Sequence, residues 1–343
     1  MVEDFEEIFW GKKIDDKDIK SPRLTYLKRK FLAYLVASRI PTVPIIISFF
    51  LLGEWWAIKD ILFYPTIIMM LFLILIEFVS GFTNFLFDKK IDIFARKYTV
   101  WIFKYISDKE MLAASFICSF IGLFILWYYF YYTTFIIGLI LVAVTFFYSA
   151  PPVRFKTKPL VDMLSNMFIF GSIPFILGWL TSGTKLSLNV LLISLIMGIP
   201  VISYTLIISW CDIKTDSEFG IKTTSVILGY NWTINLAIIL WILLLFLCFF
   251  TFYLDLITFS FLAVFPILII LWIRHINIKI KDMGLRQKNI YLFLPISTKL
   301  WPLFVFLFLY LFTGSIITVI FLIIEFVIFL KAIKKSYHYS KNL

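Results

Sequence analysis

The chain has 343 residues, 62% of them apolar and only 15% charged, with a mean hydropathy of +0.96 and a formal net charge of +11. That balance excludes an ordinary soluble domain and implies an all-α polytopic membrane protein. Cys118, Cys211 and Cys248 lie in apolar segments or at their ends, without the spacing of a disulfide or metal framework.

Residues 1–30 are charged and lack the apolar core of a signal peptide, which makes them a polar arm. About nine membrane helices follow, near 31–52, 61–87, 111–131, 132–149, 160–181, 187–210, 231–253, 255–273 and 300–330. They form a single domain over 31–330, with a basic tail at 331–343. The arm and the segments joining helices 2/3, 4/5, 6/7 and 8/9 hold 25 Lys and Arg, against only Lys59 and Lys185 on the opposite face. The positive-inside rule therefore places the arm and those loops in the cytoplasm of a cell-membrane protein, and it assigns the basic excess to orientation rather than to nucleic acid. Lys331, Lys334, Lys335 and Lys341 disagree with an odd number of crossings. The last stretch would be about 45 Å long as one helix, beyond the roughly 30 Å hydrocarbon core, and a break near Gly314 would turn it back.

The first segment carries Arg39 about two turns in, and the second carries Glu77 at a similar depth, so the two can pair, and Arg39 is a candidate for the border of the acceptor pocket. A snorkelling Arg is the ordinary alternative. The second segment ends in NFLFDKKID, where Asn84, Asp88 and Asp92 recur every four residues and share one helix face with Gly81 and Glu77. Carboxylates near hydrocarbon cost several kcal/mol unless paired or hydrated, so the stripe faces a wet interior.

The fifth segment bears Asp162, Ser165, Asn166 and Ser172 at helical spacing, a stripe that suits either the acceptor side of a cavity or helix-to-helix hydrogen bonding. The sixth ends in SWCDIKTDSEFG, where Asp212 and Asp216 repeat the earlier acidic spacing. Each acidic pair closes the second helix of a four-helix block, which implies an internal duplication that brings the two pairs to one central cavity within the bundle. Oxygen ligands without His or Cys favour Mg²⁺, which takes one or two carboxylates and completes its shell with water and substrate phosphate. Two such ions would clamp a diphosphate; helix ends solvated beside Lys89, Lys90 and Lys214 are the bland alternative. Glu325 lies near the end of the last helix, at the interface.

At these residues the sequence resembles the UbiA superfamily of intramembrane prenyltransferases. Asn84, Asp88 and Asp92 match its N-x-x-x-D-x-x-x-D motif, and Asp212, Asp216 and Gly220 match its D-x-x-x-D-x-x-x-G motif. The stretch FYSAPPVRFKTKPLVDMLSN, residues 147–166, resembles the YSxPPxRxK loop of members acting on chlorophyll-type, homogentisate and carotenoid substrates. Its continuation looks most like the lycopene-elongating branch. After Asp92 the family's N-x-R-P stretch is absent; the chain reads IFARKYTVWIFKYIS, keeping only the charge of Arg96 and Lys97.

The resemblance implies Mg²⁺-dependent transfer of an isoprenyl group from an allylic polyprenyl diphosphate to a lipophilic acceptor, in a site that opens to the cytoplasm. Asp88, Asp92, Asp212 and Asp216 would hold the metal, with Asn84 as a further oxygen ligand or hydrogen-bonding partner. Arg154, Lys156 and Lys222 would contact phosphate oxygens, whereas Lys158 reads as ordinary loop charge. Tyr148 is the candidate ring for the allylic cation. A carotenoid or other polyisoprenoid is the first expectation for the acceptor, ahead of an aromatic quinone precursor and an archaeal glycerol ether lipid. A secondary transporter would also carry carboxylates in a cavity, but nearer mid-membrane. The D-x-x-D-G-x-x-A-R signature of CDP-alcohol phosphotransferases and the glycine-rich phosphate loop are both absent, and His275 and His338 stand in basic segments.

Overall fold

The structure is a computed structural model and describes residues 23–94, 98–252 and 300–341, with side chains over 26–94, 99–247 and 300–330. Residues 1–22 of the arm, Arg96, Lys97, His275 and the expected eighth segment lie outside it, as do the side chains of Cys248 and of the basic tail. The described residues are helical, without strands.

The first apolar stretch, expected as one helix, is two: α1 (Arg23–Ala37) and α2 (Val43–Ile58). Between them Arg39 takes a left-handed φ of 53° and a 3-10 turn, Ile40–Thr42, follows. Pro41 removes an amide donor and disfavours an α conformation at Ile40, whereas Pro44, in the first turn of α2, sits where helices tolerate it. The long helix α3 (Phe63–Phe94) ends in the acidic motif. After a 3-10 segment, Tyr98–Lys104, α4 (Asp108–Tyr129) opens on a capping box in which the Ser107 hydroxyl accepts from Glu110 N and the Glu110 carboxylate accepts from Ser107 N. Helix α5 (Tyr132–Ser149) follows directly.

Beyond the loop, α6 (Val161–Met167) passes through a π turn (Phe168–Ser172) into α7 (Ile173–Thr181). Helix α8 (Leu188–Glu218) carries the second acidic motif, and α9 (Thr224–Phe252) is kinked at Gly229, where φ is 69°. The expected ninth segment is divided: α10 is Leu300–Thr313 and α11 is Ile316–Lys341, separated at Gly314, whose φ is 63°. Among the described residues seven stretches are long and apolar enough to cross a membrane, the first being the broken run Tyr26–Ile58, so the described part does not reproduce the expected nine full spans. Phe116, Phe120, Phe124 and Trp127 leave the outer face of α4 exposed, as a helix in contact with lipid requires.

Two compact units are present. Among the described residues, the first draws on 23–43 and 70–154, the second on 44–69 and 155–341. In the first, Ala33 and Ala37 of α1 pack with Phe82 and Phe85 of α3, Trp101 and Ile102 of the 3-10 segment, and Met111 of α4. Gly81 lets α1 come close enough that a Cβ added there would collide with the Ala37 carbonyl. In the second, Gly53 of α2 faces the Phe175 carbonyl and Gly178 of α7 faces the Phe50 carbonyl, two backbone contacts that leave no room for a methyl group. Trp210 Nε1 donates to Tyr230 O at 2.9 Å and Ser203 Oγ to Ala237 O at 3.1 Å, joining α8 to α9.

Candidate active site

Helix α3 presents Glu77, Gly81, Asn84, Asp88 and Asp92 in its last turns. Asp88 is 8% and Asp92 3% exposed, so both carboxylates are withdrawn from solvent. A charge so placed persists only if it is paired or hydrogen-bonded. Asp88 is both. Its Oδ1 accepts from Arg154 Nη2 at 3.1 Å, and its Oδ2 accepts from Asn84 Nδ2 at 3.0 Å. Arg154 Nη2 also reaches the Phe87 carbonyl at 3.4 Å. The Arg154 backbone is left-handed, with φ of 45°, and its N–H donates to Ala150 O at 2.9 Å, a turn that keeps the side chain on α3.

Asn84 is the hub of this unit. Besides Asp88, it meets Ser149 Oγ of α5 at 3.5 Å, and its Oδ1 accepts from Arg39 Nη2. An Arg39–Glu77 pair is therefore not the arrangement found. The Arg39 guanidinium goes to Asn84 and lies 5.8 Å from the centre of the Phe85 ring, while Glu77 takes the hydroxyl of Thr42. The cause is the break at Arg39: the left-handed residue aims its side chain along α3 toward Asn84, and the turn that follows brings Thr42 to Glu77. The helix-breaking Pro41 was the signal for this in the sequence.

In the second unit, Asp212 and Asp216 are half-buried one turn apart on α8. The helix stops just beyond them. Gly220 is left-handed with φ of 67°, Gly220 N donates to Ser217 O at 3.1 Å and Ile221 N to Asp216 O at 2.9 Å. The motif's glycine is thus a helix terminator of the kind that only a residue without Cβ adopts freely. Lys222 projects into solvent, as do Lys158 and Lys214, whereas Lys156 is half-buried in the 3-10 turn Phe155–Thr157. Tyr148 is half-buried on α5.

Two members of the polar stripe that begins on α6, Asp162 and Ser172, bond to other helices. Asp162, 3% exposed, accepts from Thr224 N at 2.8 Å and from the Thr224 hydroxyl, capping the start of α9. Leu160 N in turn donates to Thr224 Oγ1 at 2.7 Å. Ser165 bonds Val161 O within its own helix, and Ser172 Oγ donates to Ser194 O at 2.8 Å. Thr224, which the sequence reading missed, stands as a Thr just before an apolar run, an ordinary helix-start signal.

Among the described residues no three His, Cys, Asp or Glu side chains gather in one place as a metal cluster. The donor chemistry nevertheless fits Mg²⁺: a buried pair of carboxylates on one helix face, with oxygen atoms alone, is the share of the shell that this ion takes from protein.

The model of the UbiA prenyltransferase family matches residues 42–295. No curated protein matches the chain. Among solved structures, a UbiA homologue from Archaeoglobus fulgidus bound to DMAPP and Mg²⁺ aligns with a TM-score of 0.61 at 17% identity, covering 80% of this chain and 98% of that one. A further structure of a UbiA homologue from Archaeoglobus fulgidus aligns with a TM-score of 0.62 at 15% identity, covering 81% of this chain and 98% of that one. A structure concerning digeranylgeranylglyceryl phosphate synthase in membranes aligns at 0.57 and 15% identity, over 89% and 99%. At such identities these likenesses bear on fold.

Proposed function

Because the chain belongs to the UbiA prenyltransferase family, we propose that it transfers an isoprenyl group from an allylic polyprenyl diphosphate to a lipophilic acceptor, with Mg²⁺ as cofactor. Family membership makes it a prenyltransferase of the membrane and sets aside the transporter reading. The observation that carries the proposal is the buried Asp88 carboxylate, held on one oxygen by Arg154 and on the other by Asn84. The homologue solved with DMAPP or GPP together with Mg²⁺ supports the same donor class.

Asp88 and Asp92 would hold one Mg²⁺ ion and Asp212 and Asp216 another. Bound Mg²⁺ supplies neutralisation of the charge that gathers on the departing diphosphate. Asn84 serves as the hydrogen-bonding partner of Asp88. Arg154, with Nη2 on Asp88 and the Phe87 carbonyl, brings its guanidinium charge to the phosphate oxygens, and half-buried Lys156 adds a point charge. Lys222, exposed at the loop, serves the outer phosphate edge. Tyr148 offers a ring face to the allylic cation. The site opens to the cytoplasm, with the N-terminal arm on that side of the cell membrane.

For the acceptor we assign a carotenoid or other polyisoprenoid, on the strength of the loop YSAPPVRFK; an aromatic quinone precursor and an archaeal glycerol ether lipid are the other outcomes. The test is mass spectrometry of lipids from cells expressing the chain, beside an Asp88→Asn, Asp212→Asn control. A species heavier by whole isoprene units in the active strain alone identifies acceptor and donor length together. Identical lipid profiles with all three acceptor classes supplied would overturn the proposal.

A further inference from the structure

Arg39 stands at a backbone position that is anchored from several directions. Its carbonyl accepts from Thr42 N at 2.8 Å. Gly81 admits the Ala37 carbonyl against α3 one turn before Asn84. The left-handed φ of 53° is a conformation that a non-glycine residue adopts only when its surroundings impose it. The product of this construction is one contact, Arg39 Nη2 to Asn84 Oδ1.

That contact decides which way the Asn84 amide faces. A guanidinium has donors and no acceptor, so the Asn84 atom facing it must be the oxygen. Nδ2 is then left to donate to Asp88 Oδ2, at 3.0 Å. Turned by half a revolution, the amide would set its oxygen against a carboxylate oxygen and lose both bonds. On the other side of Asp88, Arg154 holds Oδ1. The carboxylate is thereby fixed from both ends, once directly and once through an amide whose orientation Arg39 sets.

We propose that Arg39 is a positioning residue: it acts through Asn84 on the Asp88 carboxylate and does not itself contact substrate. This rests on the reading of Asp88 as a Mg²⁺ ligand. Groups that orient a ligating side chain are worth about 10- to 100-fold in metal affinity.

The experiment is a double-mutant cycle on the purified full chain in detergent, with Arg39→Ala, Asn84→Ala and the double variant. Mn²⁺ binding in the presence of inorganic pyrophosphate is read by electron paramagnetic resonance, with Asp88→Asn as reference. Each single variant is expected to weaken Mn²⁺ by about tenfold, and the double variant to be no weaker than Asn84→Ala, because the second change removes an interaction already lost. Arg39→Lys, which keeps a donor and the charge, is expected to recover most of the affinity. Misfolding lowers the number of sites and leaves the affinity of the remainder, so it is separated from the predicted effect. If the double variant shows the product of the two losses, or Arg39→Ala binds as the wild type does, the positioning role is overturned while the metal reading stands. If Asp88→Asn also binds as the wild type does, both fall.

Discussion

Asp162 is the residue whose replacement most directly measures how the second unit holds its acidic loop. Its carboxylate caps α9 through Thr224 N at 2.8 Å and the Thr224 hydroxyl, and Thr224 is itself only 4% exposed. Asp162→Ala removes two bonds between elements to a charged acceptor, each worth roughly 1.5–3 kcal/mol, and strands a buried N–H. Relief of the cost of burying the carboxylate offsets part of this, leaving an expected loss of about 2–3 kcal/mol. Asp162→Asn keeps an acceptor for Thr224 N but turns an NH₂ toward a hydroxyl that already accepts from Leu160 N, so about half that loss is expected. Thermal and denaturant unfolding in detergent measures both. Thr224→Val removes the hydroxyl alone, and its combination with Asp162→Ala should show a coupling of at least about 1 kcal/mol. An Asp162→Ala protein within about 0.5 kcal/mol of wild type, or strict additivity with Thr224→Val, would refute the cap and return Asp162 to the cavity reading.

Three further outcomes are expected. Arg154→Ala should lower prenyl transfer by about 100-fold, and Arg154→Lys should recover little of it because a compact ammonium cannot span Asp88 and a phosphate oxygen as the planar guanidinium does; turnover in membranes with allylic polyprenyl diphosphates decides this. Gly220→Ala should cost about 1 kcal/mol, with Gly220→Asn costing less; the penalty is conformational, since a Cβ there meets nothing within 4 Å, and unfolding of the two variants separates conformation from packing. Gly178→Ala meets the Phe50 backbone and Gly53→Ala the Phe175 backbone, so each should lose about 3 kcal/mol or fail to accumulate as folded protein, which size-exclusion profiles of detergent extracts report.

The acidic motifs were legible because a helix maps sequence spacing directly onto a face: Asn84, Asp88 and Asp92 share a stripe whatever surrounds them. The loop residues were less so. Arg154 and Lys156 differ by two positions and carry the same charge as Lys158, yet Arg154 binds Asp88, Lys156 is half-buried and Lys158 is exposed. Equal charge in a short loop says nothing about which stem the backbone turns inward. Spacing along two antiparallel helices fixes depth, which matches Arg39 to Glu77, but it does not fix the direction of a side chain around the helix; the left-handed turn sends the guanidinium to Asn84 instead. The stripe of α6 carried two meanings in sequence, and only the arrival of Thr224 and Ser194 favoured one.

Composition and periodicity alone determined that this chain lives in a bilayer and that Asp88/Asp92 and Asp212/Asp216 form two helical pairs with the same spacing. These are properties of solvent and of local helical geometry, and they need no knowledge of what packs where. The tertiary structure decided the broken first helix, the division at Gly314, and the partners of Arg39, Glu77 and Asp162. A hydrogen bond between residues tens of positions apart depends on how closely two backbones approach, which glycines such as Gly81 permit and no local spacing records.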